Sequence, residues 1–226
     1  MAQFATAKTA EDIIEKYINK IGGDNRLSAL KTLYLEGEGS IMQQEAWIRI
    51  LQEDGSPSHT EIRAKNDHNP TVPGGIELSI SFPQLQVGAP GILLVAGLAT
   101  ETDIVGPLHN YRSKGYQAEL VGKEVIESNL CYKIKLSKPG VEMLFWIDAG
   151  TYLLHQSTVP PPGLSFAENL QAYTVYTNYK AIDEVWFAHD FEIKPINSKF
   201  INPLAAISFN KIQVNPPIDL AMYQSE

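Results

Sequence analysis

The sequence is almost free of cysteine, with Cys131 the single one in 226 residues. An internal disulfide is therefore excluded, and the redox compartment stays open. Cys131 sits in an alternating run and reads as a structural or surface thiol, not a nucleophile. Blocks of basic residues are also missing. The formal net charge is −8 and no Lys or Arg cluster supplies a phosphate-binding footprint, so nucleic acid is excluded as a partner. Long apolar runs are missing too. The longest, Gly91–Ala99, is framed by Pro90 and Thr100 and falls well short of the ~18 residues that cross a bilayer. No basic segment with an apolar core follows Met1, so a signal peptide is not expected within the chain. Ala2-Gln3 instead suits the first dipeptide of a mature exported protein, with Met1 as an added start. The expected location is the periplasm, with the signal peptide already removed.

Signatures of catalysis are scarce. The five histidines are His59, His68, His109, His155 and His189, and none has the short spacing of a metal motif. No nucleophile elbow, phosphate loop or dinucleotide fingerprint occurs. His189 and Asp190 are neighbours on one strand and so face opposite ways. Asp148 precedes Ala149-Gly150 and reads as an Asx-turn residue. No catalytic residue, metal or cofactor is expected, and the protein is not expected to be an enzyme. One enzymatic rival stays open, a hydrolase or isomerase assembled from His155, His189 and Asp148 on different strands.

What the chain does contain is strand alternation around an apolar helix. Leu130, Tyr132, Ile134 and Leu136 point one way, while Cys131, Lys133 and Lys135 point the other. This run is the middle of a meander over 115–158. Its first strand covers Tyr116–Val121, with turns at Gly122–Glu124 and Glu127–Asn129. Lys138-Pro139-Gly140 turns into Val141–Asp148, and Tyr152–Thr158 follows. Upstream, Thr9–Ile21 predicts a helix capped by Thr9 and Asp12, with Ile13, Ile14, Tyr17, Ile18 and Ile21 in one stripe. Gly22-Gly23 ends it, and Asp24 is expected to cap a short second helix carrying Leu27 and Leu30.

Further strands are expected at Leu33–Met42, Glu45–Leu51 and His59–Asn66, then at Asn169–Lys180, Val185–Lys194 and Leu204–Val214. Gly37 and Gly39, alternating in the first, signal strong curvature or a close approach by another element. A further strand or two is expected in Ile76–Val87, broken at Pro83. Gly91–Ala99 reads as a short buried helix or apolar lid, and Thr100–Tyr111 as a helix ended or kinked by Pro107. The tail is expected to anchor through Ile218, Leu220 and Tyr223. No repeat or composition shift marks a second domain, so residues 1–226 form one domain. The expected class is α+β. About nine to eleven antiparallel strands form one large curved sheet, an incomplete half β-barrel, with the N-terminal helix and a helical lid on its concave face.

The pieces of the chain, in order, resemble a known family. They are Ile13–Ile18 with Ile21-Gly22-Gly23, Leu27–Leu33, Tyr111–Tyr116 with Leu120–Glu124, Cys131–Leu136 and Trp146–Leu153, then Thr177–Lys180 and Val214–Asp219. This order resembles the LolA/LolB-like carriers, in particular the outer-membrane lipoprotein-sorting proteins. The resemblance covers nearly the whole chain. It implies an incomplete β-barrel whose concave face holds lipoprotein acyl chains under a helical lid. Two departures stand out. Trp186-Phe187-Ala188-His189 occupies a place where relatives often have proline, and the 67–88 loop has no counterpart. Arg49 and Arg63 lie where an acyl-contacting arginine would sit, and also suit plain surface positions.

The leading expectation is a non-enzymatic carrier of lipoprotein acyl chains or another lipid-like ligand. Its partners would include membrane-associated donor and acceptor proteins. By alternation, the ligand-contacting residues are Ile48, Ile50, Ile62, Ile134, Leu136, Leu144, Trp146, Val175 and Phe187. A register error of one residue would invert any strand's set. The alternative is a structural or interaction module with a closed core and no ligand.

Overall fold

A computed structural model describes residues 8–41, 43–55, 59–65, 79–81, 103–158, 172–196 and 202–217. The N-terminal helix forms as its stripe requires. Helix α1 spans Ala10–Ile21, with Thr9 as its N-cap. Thr9 Oγ1 accepts from the Asp12 N–H at 3.1 Å, and the Asp12 carboxylate accepts from the Thr9 N–H at 2.8 Å. Asp here does the work usual for Glu in a capping box. Ile13, Ile14, Tyr17, Ile18 and Ile21 are all buried, each isoleucine adding ~1.5–3 kcal/mol of gross burial. The helix stops at Gly22, whose φ of +146° suits glycine, and Gly23 N–H donates to Ile18 O at 2.9 Å. Helix α2 follows at Asp24–Ser28. Asp24 was expected to cap it, but Gly23 takes the cap position. The Asp24 carboxylate turns instead to His109 Nε2, 2.8 Å away.

Among the described residues, eleven strands make one sheet. They are β1 (Thr32–Ile41), β2 (Gln44–Glu53), β3 (His59–Ala64), β4 (Ser79–Ser81), β5 (Gln117–Ile126), β6 (Asn129–Lys138), β7 (Val141–Asp148), β8 (Leu154–Thr158), β9 (Ala172–Ile182), β10 (Val185–Pro195) and β11 (Ala205–Val214). Their order is β4-β3-β2-β1-β11-β10-β9-β8-β7-β6-β5. All neighbours are antiparallel except β3 and β4. The end strands β4 and β5 do not pair, so the sheet is an open half-barrel.

Curvature has identifiable sources. Ladder shifts occur at Glu36/Gly37, Leu120/Gly122 and Trp146/Ile147, and such bulges bend a strand. The expected turn at Gly122–Glu124 is thus a bulge inside β5. The strand continues to Ile126 and turns at Glu127-Ser128, whose φ values of 48° and 77° suit a tight hairpin. Gly37 and Gly39 fulfil the close-approach reading, because a Cβ on either would run into the backbone oxygen of Ser208 or Ala206 on β11.

The concave face carries two apolar clusters. One joins α1 and α2 to β6, β7 and β8, and the other joins β1, β2 and β3 to β10 and β11. Ile104 and Phe187 pack against both. No helix forms over the described part of Thr100–Tyr111. Residues 103–115 run as successive turns, because Pro107 offers no N–H and steers Gly106 away from the α region. Gly106 has a φ of 83°. The segments expected at Gly91–Ala99, Asp67–Gly75 and Pro160–Gly163, and the tail anchors Ile218, Leu220 and Tyr223, lie outside the described residues.

Candidate functional site

A half-open cavity of about 290 Å³ lies between the two clusters. Tyr17 and Ile21 of α1 form one wall, and Leu33, Leu35 and Ile50 form the opposite one. The floor comes from β7 to β10, including Phe145, Tyr176 and Phe187. The turn segment contributes Ile104, Val105 and Leu108 as a strap across it. Apolar side chains thus dominate every wall.

Lys114 holds the strap in shape. Its Nζ donates to the Asp103 carboxylate, to Gly106 O at 3.1 Å and to His109 O at 2.5 Å. Leu108 and Tyr111 anchor the strap in the core. Two polar contacts tie it to the helices: His109 to Asp24, and Arg112 Nη1 to Glu11 Oε1 at 2.6 Å. The Arg112 hydrogen bond holds the Glu11 carboxyl below its ordinary value.

The polar lining is small: Asp103, which is paired with Lys114, together with Gln52 and a few hydroxyls. Ser157 Oγ and Tyr176 OH are 2.9 Å apart, and the Ser157 side chain is fully buried. Tyr179 OH donates to Leu154 O at 2.8 Å. Burial pushes the phenols of Tyr17 and Tyr179 up, so both stay uncharged at neutral pH.

The nine residues expected to contact ligand are split by the structure. Ile50 and Phe187 line the cavity. Ile48 and Ile62 share a face with Ile50 but are fully buried in the second cluster. Ile134 and Leu136 are fully buried in the first cluster, which α1 covers. Leu144, Trp146 and Val175 are on the opposite face of the sheet. In β7 it is Phe145 that lines the cavity, with Met143 and Ile147 on its side. The Trp146 ring meets Tyr173 edge-on at 5.5 Å, and its Nε1 donates to Glu124 Oε2 at 2.9 Å. Both faces of β7 are apolar, so alternation alone could not choose between them. The two-residue turn at Pro139-Gly140 does choose, because it pairs Lys138 with Val141 and hence Ile134 with Phe145. Reading that turn would have found Phe145. The strap residues carried no comparable signal.

Of the side chains considered for catalysis, Asp148 and His189 each have a hydrogen-bond partner of their own. His155 lies near enough to Asp148 to help hold its carboxyl low. The Nε2 atoms of His155 and His189 are buried with no hydrogen-bond partner among the described residues. Asp148 forms the expected Asx-turn, its Oδ1 accepting from Gly150 N at 3.0 Å and Thr151 N at 2.6 Å. Burial alone would raise its carboxyl, but the Thr151 and Gly150 donors outweigh that and hold it low. His189 Nδ1 pairs with Phe209 O at 2.7 Å. Cys131 is fully buried, and burial pushes its thiol up to about 11, away from nucleophilic thiolate. Among the described residues, no group of three or more His, Cys, Asp or Glu could hold a metal. Arg49 pairs with Glu36 and Glu61, and Arg63 with Glu61. Neither lines the cavity.

Solved structures match this architecture from end to end. A LolA superfamily protein from Nitrosomonas europaea superposes with a TM-score of 0.56, over 97% of this chain and 99% of that one. The fold is that of the LolA superfamily. A domain from Vibrio parahaemolyticus, described as an outer membrane lipoprotein-sorting protein, matches with a TM-score of 0.56 over 95% of this chain and 97% of its own. A DUF1329 family protein from Desulfovibrio piger gives 0.55 over 96% and 98%. Sequence identities are 12% for the first and 11% for each of the other two, so the likeness to these structures is one of architecture. No family model matches the sequence, and no curated protein matches it significantly. No described helix is long and apolar enough to cross a membrane.

Proposed function

We propose that this chain is, as one domain, a non-enzymatic carrier that shelters acyl chains of lipoproteins, or another lipid-like ligand, in the concave face of its half-barrel. The observation that supports this most is the half-open apolar cavity beneath the 103–108 strap. An alkyl chain entering it gains ~0.8 kcal/mol per buried methylene. The lipoprotein-sorting description of one structural neighbour fits the same role. In this reading the protein works in the periplasm and exchanges cargo with membrane-associated donor and acceptor proteins.

Native mass spectrometry of protein purified without detergent tests the reading. Extra mass that disappears on organic extraction and matches a lipid is the expected result. A clean mass that stays clean after incubation with lipopeptide or fatty acid would favour a closed interaction module. Ile104→Trp, which fills the cavity from its roof, is expected to abolish binding of a fluorescent naphthylamine probe while circular dichroism stays unchanged.

A further inference from the structure

One face of the β5–β6 hairpin gathers cations that no carboxylate answers. Lys8, just before α1, donates from Nζ to Tyr132 OH at 2.7 Å and to Tyr152 OH at 2.6 Å. The two tyrosine rings lie stacked, with centres 6.2 Å apart. The Nζ of Lys16 in α1 sits 5.2 Å from the centre of the Tyr152 ring, and that of Lys123 in β5 sits 5.1 Å from the centre of Tyr132. Three ammonium groups thus meet on one tyrosine pair, and all three lysines are exposed. No ion pair among the described residues takes up any of the three. The Tyr132 hydroxyl, and then that of Tyr152, push the Lys8 ammonium up to about 12, so it stays charged.

The acids on the same elements are spent or turned elsewhere. Asp12, which feels both Lys16 and Lys8, holds the Thr9 N–H. Glu11 pairs with Arg112, Glu124 with Lys133 and Glu127 with Lys194. Glu15 stands one helical turn from Glu11 and shares its side of α1. In a chain of net charge −8, this is a local excess of positive charge.

An apolar tip adjoins the lysines. In the regular ladder past the β5 bulge, Lys123 pairs with Tyr132 and Val125 with Leu130. Alternation puts all four side chains on one face. Val125 is 66% exposed and Leu130 44%, and the pair lies one rung from the Glu127-Ser128 turn. Lysines beside two bare aliphatic side chains suit a charged lipid surface. The ammonium groups meet headgroup phosphates, and the aliphatic pair passes between them toward the acyl chains.

We infer that the tip of the β5–β6 hairpin, together with Lys8, Lys16 and Lys123, docks the protein on membranes that present anionic lipid headgroups. This goes beyond the carrier role and does not depend on what the cavity holds.

The experiment is sedimentation of the full chain with vesicles at neutral pH, with circular dichroism checking the fold of each variant. Vesicles of phosphatidylglycerol in phosphatidylcholine are expected to carry the protein down, and pure phosphatidylcholine to leave it in solution. Binding should fade in about 1 M salt, where the Debye length shrinks to roughly 3 Å. Lys16→Gln and Lys123→Gln should each weaken binding about fivefold. Val125→Ser combined with Leu130→Ser should weaken it about tenfold. Lys211→Gln is the control. Lys211 stacks on Tyr34 at 5.0 Å, and Tyr34 faces away from its cavity-lining neighbours Leu33 and Leu35. That variant should bind as the parent does.

Equal sedimentation with both kinds of vesicle, or none with either, would overturn the inference. So would binding that high salt leaves intact, or that the lysine or aliphatic variants leave at parental strength. Binding weakened as much by Lys211→Gln as by Lys123→Gln would overturn it too, since net charge alone would then be at work. None of these outcomes touches the carrier reading, which the mass of bound lipid tests separately.

Discussion

Single side chains fix the joins of this sheet. Asn215 is the clearest case. Its Oδ1 accepts from Lys31 N at 2.7 Å and Thr32 N at 3.2 Å, and its Nδ2 donates to Ala29 O at 3.1 Å. One amide thus ties the end of β11 to the start of β1. Asn215→Ala is expected to cost about 1–3 kcal/mol through the unpaired backbone groups it leaves, read as a lower urea midpoint at an unchanged slope. Gly39→Ala tests the close approach. Its Cβ would meet the Ala206 carbonyl, which has no room to retreat within a paired ladder. A loss of about 2–4 kcal/mol is expected, measured the same way. Trp146→Phe removes the indole donor to Glu124 on the face away from the cavity. It should lower stability by about 1 kcal/mol and leave probe affinity unchanged.

At the scale of elements, α1 was legible because its signals agree: a stripe of five apolar residues, a capping pair and a double glycine. The meander was legible where one face is charged, as in β6 with Lys133 and Lys135. It failed in β7, where Leu144 and Trp146 rival Phe145 and Ile147 for the inner face. The strap failed for another reason. Its shape comes from Lys114 reaching back to Asp103, Gly106 and His109, a contact that no periodicity announces. Lys114→Met should therefore loosen the strap and speed probe release. Stopped-flow dissociation checks this, and an unchanged rate would show that Leu108, Tyr111 and the ties to Asp24 and Glu11 suffice to hold the strap.

The whole molecule should be acid-sensitive in a defined window. Glu124 is held low by the Trp146 N–H and then by Lys133, and Asp148 by its turn donors against the effect of burial. Folded values below the unfolded ones mean that this stability is present above about pH 4 and is lost as the pH falls through the lower folded values. Melting temperature is expected to drop across that range. Glu124→Gln and Asp148→Asn should each flatten the drop. A profile identical to the parent would show that these carboxylates are not linked to unfolding.

The strand order also has a consequence in time. β11, the last strand among the described residues, pairs with β1 on one side and β10 on the other. It is the seam between the two halves of the sheet. A ribosome releasing this chain in order would expose β1 and β10 as bare edges until β11 arrives. Such edges invite pairing with other chains, and a joint between strands so distant in sequence closes slowly. The half-finished molecule has its greatest need of a chaperone just before β11 appears.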